Sequence, residues 1–425
     1  MYKIPEYAQK TLDIYNSFDW NQVVQMHLDE VNLINNDVKI HGETVTSFGN
    51  ASYLGFHKDE RVIEAGVKAM REKGILYCST RSYTYMPEHE EFEDLLSEIF
   101  GRPTIATVQT AMADFGAMPL LMSPTDVALV DTMAHATLQN MIMIPKAMGM
   151  TLDKVKHNSM DHLESKIRFY REQGKEKIWY VCDSVYSMYG DVSPVKDILY
   201  LLEKYDNFYL YIDDAHGMSW TGPNGAGYAW KYMPVGHDKV VMATSLGKGF
   251  GIGGGALICP NIEVKSWMRR TGLNLVFCTQ LSNQTLASGI EVAKIHLSDE
   301  IYLLQDKLKE NVDHFIQKAR EHNLPFYDYS ESPLFYMIIG SYENGIALNQ
   351  MLRKKGYYGN LGIFPAVPAK YTGLRLSITA EHTKAEINGL MKAVDECLIE
   401  LLAASGLTKD DLINSLRGKK AIALN

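Results

Sequence analysis

Phe208-Tyr-Leu-Tyr-Ile-Asp-Asp-Ala-His-Gly217 is the stretch that decides the fold. It opens with five apolar or aromatic residues and no clean polar alternation, which suits a strand buried on both faces of a mainly parallel sheet. Asp213 closes the run and His216 follows three residues on. A carboxylate at the end of so apolar a strand is costly unless a cation meets it, and a protonated pyridine nitrogen is such a cation. The competing readings are a strand-end aspartate turning into a loop, and an acidic pair for a metal. For the metal, no further ligand stands at a suitable spacing.

Outward from this stretch, Val127–Asp131, Ile178–Cys182, Val240–Thr244 and Gly255–Cys259 are similar short runs. Helical patterns lie between them. In Glu90–Phe100, Phe92, Leu95, Leu96, Ile99 and Phe100 fall on one helix face. Alternation of this kind predicts an α/β layer architecture. Further on, Leu304, Leu308, Val312, Phe315 and Ala319 mark a long helix, followed by strand candidates Leu334–Ile339 and Leu374–Thr379. A last helix opens at Thr383 with the capping box Thr-x-x-Glu386, and carries Ile387, Leu390, Met391, Val394, Leu398 and Leu401 on one face. The expected organisation is an N-terminal segment (1–60) packing with a small C-terminal α+β domain (291–425), and a large domain (61–290) between them.

Three more features stand at strand ends, the edge where open α/β sheets bind ligands. Thr244-Ser-Leu-Gly-Lys-Gly-Phe-Gly-Ile-Gly-Gly-Gly255 places Lys248 among glycines, where a bulky group can approach the amine and partial burial would lower its pKa, as a Schiff-base lysine needs. The alternatives are a glycine-rich turn with an exposed lysine, or a phosphate cradle. A Walker A loop is excluded because Gly249 follows the lysine. His135 follows Val127–Asp131; a lone histidine there is more often structural. Asp183 and Ser187 follow Ile178–Cys182, with a turn at Gly190-Asp191, a weak signal alone.

Composition sets the outer bounds. The 425 residues are 46% hydrophobic and 22% charged, an ordinary globular balance, and 42 basic against 51 acidic residues give a net charge of −9. No basic stripe argues for nucleic acid. The five scattered cysteines form no zinc-like spacing and fit a reducing compartment. The start, MYKIPEYAQKTLDIY, is not a signal peptide, and no apolar run is long enough to span a bilayer. A cytoplasmic location is expected.

Together, the four strand-end features resemble the α-oxoamine synthase family of pyridoxal-phosphate (PLP) enzymes, within the fold-type-I group. The resemblance runs from Ser47-Phe-Gly-Asn-Ala-Ser-Tyr-Leu-Gly55 to Leu374-Arg-Leu-Ser-Ile-Thr-Ala-Glu-His-Thr383, in the family's order. It implies the PLP-dependent transferase fold of type I, with a mainly parallel central sheet flanked by helices and a smaller α+β C-terminal domain. It implies that Lys248 carries PLP as a Schiff base and later serves as base. Asp213 would keep the pyridine nitrogen protonated, His216 would bond the ring's phenolic oxygen with Asp183 and Ser187 close by, and His135 would stack on the ring. Thr110, Ala111 and Ser245 would hold the phosphate, and Thr279 would reach the phosphate of a neighbouring subunit in a homodimer with shared sites. Arg375 would take the substrate carboxylate, whose geometry suits a guanidinium fork. No metal is implied. The implied reaction condenses a small amino acid with an acyl thioester, on CoA or acyl carrier protein, to an α-amino ketone with decarboxylation. A long acyl chain would add peripheral membrane contact.

Two departures stand out. The family usually has Ser-Gly-aromatic-x-x-Asn at the phosphate cup, where this chain has Gln109-Thr-Ala-Met-Ala-Asp114, with Pro119 expected to kink the helix. The usual Ser-Arg-x-x-x-Gly segment near the substrate entrance is Cys78-Ser-Thr-Arg-Ser-Tyr-Thr-Tyr-Met-Pro-Glu-His89, with Arg81 and His89 in matching places and bulky Tyr83 and Tyr85 between. Rival readings are a fold-type-I aminotransferase, which shares Lys248, Asp213 and Arg375, a PLP-dependent aldolase or lyase, and a non-catalytic partner subunit. The last loses the lysine, which is present here.

Overall fold

The computed structural model describes residues 3–413 except 20, 22, 234–236, 405 and 407. Residues 414–425 of the expected C-terminal domain, and the first two of the N-terminal segment, lie outside the described residues. The chain divides into two compact units. One holds the described residues of Met1–Ala51, Met188–Asp191 and Leu308–Ile422; the other holds those of Ser52–Ser187 and Val192–Lys307.

The strands in chain order are β1 (Leu28–Val31), β2 (Asp37–Ile40), β3 (Glu43–Ser47), β4 (Thr104–Thr107), β5 (Val127–Asp131), β6 (Thr151–Val155), β7 (Ile178–Asp183), β8 (Phe208–Asp213), β9 (Val240–Ser245), β10 (Gly255–Ile258), β11 (Leu334–Gly340), β12 (Tyr357–Tyr358), β13 (Asn360–Gly362) and β14 (Thr372–Ser377).

The larger unit is built on a seven-stranded sheet in the order β4-β10-β9-β8-β7-β5-β6. From β9 to β6 the pairs are parallel, and β10 runs antiparallel to both β9 and β4. The unalternating apolar runs are explained by burial: every residue of β5, β7 and β9 is buried. The parallel register sets Asp183 beside Asp213 at adjacent strand ends. Order reverses beside β7, because β8 and β9 extend one way and β5 and β6 the other, so the strand ends there form the crevice expected of such sheets. Helix Thr110–Leu121 covers one sheet face, packing Ala113, Ala117 and Met118 against Val130, Val181, Tyr211 and Val241. Pro119 sits in its last turn.

The smaller unit contains a sheet in the order β1-β2-β3-β12 and an antiparallel one in the order β11-β14-β13. Leu308, Val312, Phe315 and Ala319 are buried, whereas Leu304, in the larger unit, is half-buried. The capping box forms: the Thr383 N–H donates to Glu386 Oε2 at 2.6 Å, and the Glu386 N–H to Thr383 Oγ1 at 3.2 Å. Helix Lys384–Ala404 buries Ile387, Leu390, Met391, Val394 and Leu398; Leu402 rather than Leu401 completes the buried face. Among the described residues, no helix is long and apolar enough to cross a membrane.

Candidate active site at the strand ends

Four loops of the larger unit bring the predicted residues together. Asp213, the last residue of β8, is 5% exposed. The Ala215 N–H donates to its Oδ1 at 2.8 Å. Burial raises its pKa, while the Lys248 ammonium, that N–H and His135 pull the other way. Lys248 lies half-buried in the turn after β9, and its carbonyl accepts from the Gly251 N–H at 2.9 Å.

His135 caps helix Ala136–Met141. Its Nδ1 accepts from the Thr137 N–H at 3.2 Å and also meets the Thr137 hydroxyl. The neutral ring therefore carries its proton on Nε2. Desolvation lowers its pKa, Asp213 opposing and Lys248 assisting, so the ring is neutral at pH 7. Asp183, expected beside the cofactor, accepts the His135 backbone N–H on Oδ2 at 2.8 Å and so fixes the histidine's place. Burial and the Asp213 charge push the Asp183 pKa well up.

His216 is buried, and its Nδ1 meets the Tyr53 hydroxyl at 2.8 Å. Tyr53 is fully buried at φ 46°, a left-handed backbone unusual for a bulky residue. The neighbouring Asp214 points inward: it accepts from the Ser184 hydroxyl and from the Ala229 N–H at 3.1 Å, and burial lifts its pKa to about 8. Ser187 is half-buried after β7.

At the other end, Ser245 pairs in register with Gly255, and its Oγ accepts from the Gly247 N–H at 3.2 Å. A Cβ on Gly255 would strike the Thr110 nitrogen. Helix Thr110–Leu121 starts there with no side-chain cap from Gln109. The N–H groups of Thr110 and Ala111 thus stand at an anion-favouring terminus. The Thr110 hydroxyl donates to the Thr244 carbonyl at 3.2 Å, tying the helix start to β9.

These residues fit PLP. Thr110, Ala111, Ser245 and the bare backbone at Gly255 suit its phosphate, and Asp213 suits a protonated pyridine nitrogen. The glycines beside the lysine differ in kind: a Cβ at Gly247 would meet nothing nearer than 3.4 Å, whereas one at Gly249 would collide with the Met218 carbonyl. Gly247 leaves room, and Gly249 allows close packing.

Two expected residues lie on other elements. Thr279 is exposed and forms an isolated bridge with Thr80. Arg375 belongs to the smaller unit, half-buried in β14 opposite Tyr336 of β11 and Asn360 of β13. Arg81, in the segment read as shaping the entrance, places its side chain against Glu93 at 2.5 Å and the Ala106 carbonyl at 2.6 Å. Lys265 and Arg269 meet the same carboxylate at 3.2 and 2.7 Å. The sequence assigns no role to Glu93, Asp114, Asp214 or Tyr53. Asp114 carries a signal as the departure from the family's usual asparagine, Asp214 as the second acid after β8, and Tyr53 by its place in Tyr-Leu-Gly55; Glu93 carries none.

Residues 43–394 match the family Aminotransferase class I and II. The 8-amino-7-oxononanoate synthase of Alkaliphilus metalliredigens is 29% identical over 357 residues, covering 83% of this chain and 87% of that one. The serine palmitoyltransferase of Sphingobacterium spiritivorum is 26% identical over 354 residues, covering 83% and 86%. Among solved structures, the serine palmitoyltransferase of S. paucimobilis with bound PLP–myriocin superposes with a TM-score of 0.84 at 21% identity, covering 92% of this chain and 97% of that one. The fold is therefore that of fold-type-I PLP enzymes. The chain belongs to the aminotransferase class I and II family. Within it the chain is an α-oxoamine synthase-type enzyme, and its cofactor is pyridoxal phosphate.

Proposed function

We propose that this enzyme joins a small amino acid to an acyl thioester, releasing the thiol and carbon dioxide and leaving an α-amino ketone. The observation that carries the reading is the clustering of His135, Asp213, His216 and Lys248 at the strand ends of the larger unit. When bound, PLP supplies a protonated pyridine ring that draws off the electron pair left on the amino acid's α-carbon.

The chain's own residues do the rest. Asp213 holds the proton on the pyridine nitrogen. Thr110, Ala111 and Ser245 hold the phosphate. His216, oriented by Tyr53, donates to the phenolic oxygen, with Ser187 near that edge. Lys248 anchors the cofactor and, once displaced by the substrate amine, takes the α-proton. His135 stacks on the ring and offers Nε2–H to the substrate carboxylate or the incoming carbonyl. Arg375 receives the carboxylate. As the new carbon–carbon bond forms, the thiolate leaves the acyl carbon; the carboxylate then leaves as carbon dioxide, and the proton held by Lys248 returns to the α-carbon. The acyl donor is acyl-CoA or acyl carrier protein. The active form is a homodimer in which Thr279 serves the neighbouring subunit's phosphate, and the enzyme works in the cytoplasm, touching a membrane if the acyl chain is long.

The test adds an amino-acid panel to the PLP-loaded protein, follows the visible spectrum, then supplies acyl thioesters and assays free thiol and carbon dioxide. Thiol release that requires both substrates supports the reading. Release of a keto acid without thiol selects an aminotransferase, and glycine formation from threonine selects an aldolase; either sinks it.

A further inference from the structure

The strand-end site contains a carboxyl for which the proposed reaction has no use. Asp114, one turn into helix Thr110–Leu121, is 0% exposed. The Tyr211 hydroxyl donates to its Oδ1 at 2.8 Å, while its Oδ2 is buried with no hydrogen-bond partner among the described residues. Tyr211 stands two residues before Asp213 in β8, so both project from the same face of the sheet. Asp114 thus sits on the face that carries Asp213, on the helix whose first turn would hold the phosphate.

Charge decides its state. Buried carboxyls near one another cannot all ionise without matching cations. Lys248 acts on Asp213 and Asp183, and each also accepts a backbone N–H, from Ala215 and His135. Asp114 receives only the Tyr211 hydroxyl, and the charge that acts on it is that of Asp213, of like sign. Burial and that charge drive its pKa well up, so it keeps its proton. The proton belongs on Oδ2, the atom without a partner.

We propose that Asp114 is a positioning residue for the cofactor: a proton-bearing carboxyl that fixes the Tyr211 hydroxyl and adds no second negative charge to that of Asp213. Asparagine, the family's usual residue here, is the neutral analogue of that form. The inference rests on the assignment of Asp213 to the pyridine nitrogen.

The experiment compares wild-type, Asp114→Asn, Asp114→Ala and Asp213→Asn proteins loaded with 15N-pyridine-labelled PLP. It measures infrared carboxyl bands, the 15N shift, PLP affinity and melting temperature. At pH 7.5 the wild type should show a protonated-carboxyl stretch that Asp114→Asn lacks. Asp114→Asn should hold the 15N shift and bind PLP within about twofold of wild type. Asp114→Ala, which strands the Tyr211 hydroxyl, should lose about tenfold in PLP affinity. If the alanine variant fails to fold, the asparagine arm decides alone. A wild type whose difference from Asp114→Asn is a carboxylate band overturns the proposal, as does an Asp114→Asn protein whose pyridine nitrogen loses its proton. Asp213→Asn tests the underlying assignment separately: its 15N shift should move to that of an unprotonated ring. If it does not, the assignment of Asp213 falls and the role of Asp114 falls with it, whatever the infrared band shows.

Discussion

Two places in the larger unit bury carboxylates, and they handle charge in opposite ways. Glu93, 1% exposed, meets Arg81, Arg269 and Lys265, and Ala106 donates its N–H to the same carboxylate. Burial would raise its pKa, but the three cations together hold it below the usual carboxylate value. At the strand ends Asp114, Asp183 and Asp213 are similarly buried, yet the Lys248 ammonium acts on Asp183 and Asp213 alone, Asp114 meets the like charge of Asp213, and all three pKa values rise. The first cluster has settled its charge inside the protein and works as a structural clamp between the segment 81–93 and helix Ile262–Thr271. The second has more acid than cation. A site with that imbalance is suited to receive a positive group from outside, here the pyridine ring.

The largest effect that separates the two is expected from Lys248→Ala. It should lower turnover by about 10²–10⁴-fold and abolish the visible absorbance of bound cofactor, with little change in melting temperature. A variant that keeps its colour and rate would break the comparison at its functional side.

Glu93→Ala should do the reverse. It leaves Arg81, with 5% of its side chain exposed, without its carboxylate, and breaking a buried pair in this way costs about 3–5 kcal/mol. Chemical denaturation should show the loss, while residual folded protein keeps its cofactor spectrum. A stability change under about 1 kcal/mol, the range of exposed pairs, would remove the clamp from the argument.

What the sequence revealed follows the same division. Asp213, His216 and Lys248 were legible because their signal is local: an apolar strand, then a residue type that does not belong at its end. The clamp was not. Arg81 and Glu93 lie near one another in the chain, but Arg269 stands 176 positions from Glu93 and shares a helix with Lys265, so nothing local marks the four as partners. The Tyr53–His216 contact spans 163 positions and was hidden for the same reason. Of the strands, β6 was missed because at the sheet edge its residues Thr151–Val155 are mostly half-exposed and include Asp153 and Lys154. β1 was missed because it is wholly exposed, so burial left no pattern in either.

The glycines around Lys248 sharpen the functional side. Gly249→Ala forces a Cβ into the Met218 carbonyl and against Tyr53, an overpacking worth about 1–3 kcal/mol. It should also disturb the His216 orientation that Tyr53 sets. Gly247→Ala meets only the Ile252 carbonyl at 3.4 Å and Ser245 Oγ at 3.6 Å, so its fold should be spared and any loss should appear in PLP affinity. Equal destabilisation by both would mean that the two glycines do the same job.

The smallest effect lies in how stability depends on pH, and it has opposite signs in the two regions. Glu93 has a lowered pKa in the folded protein, so its stabilisation is present above the unfolded value of about 4.3 and is lost as pH falls through the folded value. Asp214 is raised to about 8 by burial. Its contribution is complete below about 3.9 and declines as pH climbs towards 8. The raised Asp114 and Asp183 act in the same direction. Melting temperature against pH should therefore fall on both sides for the wild type. Glu93→Gln should flatten the acid side alone, since glutamine has no proton to gain, and should leave the decline towards alkaline pH intact. If that decline disappeared too, the two regions would share one titrating network, and the separation between clamp and site would not hold.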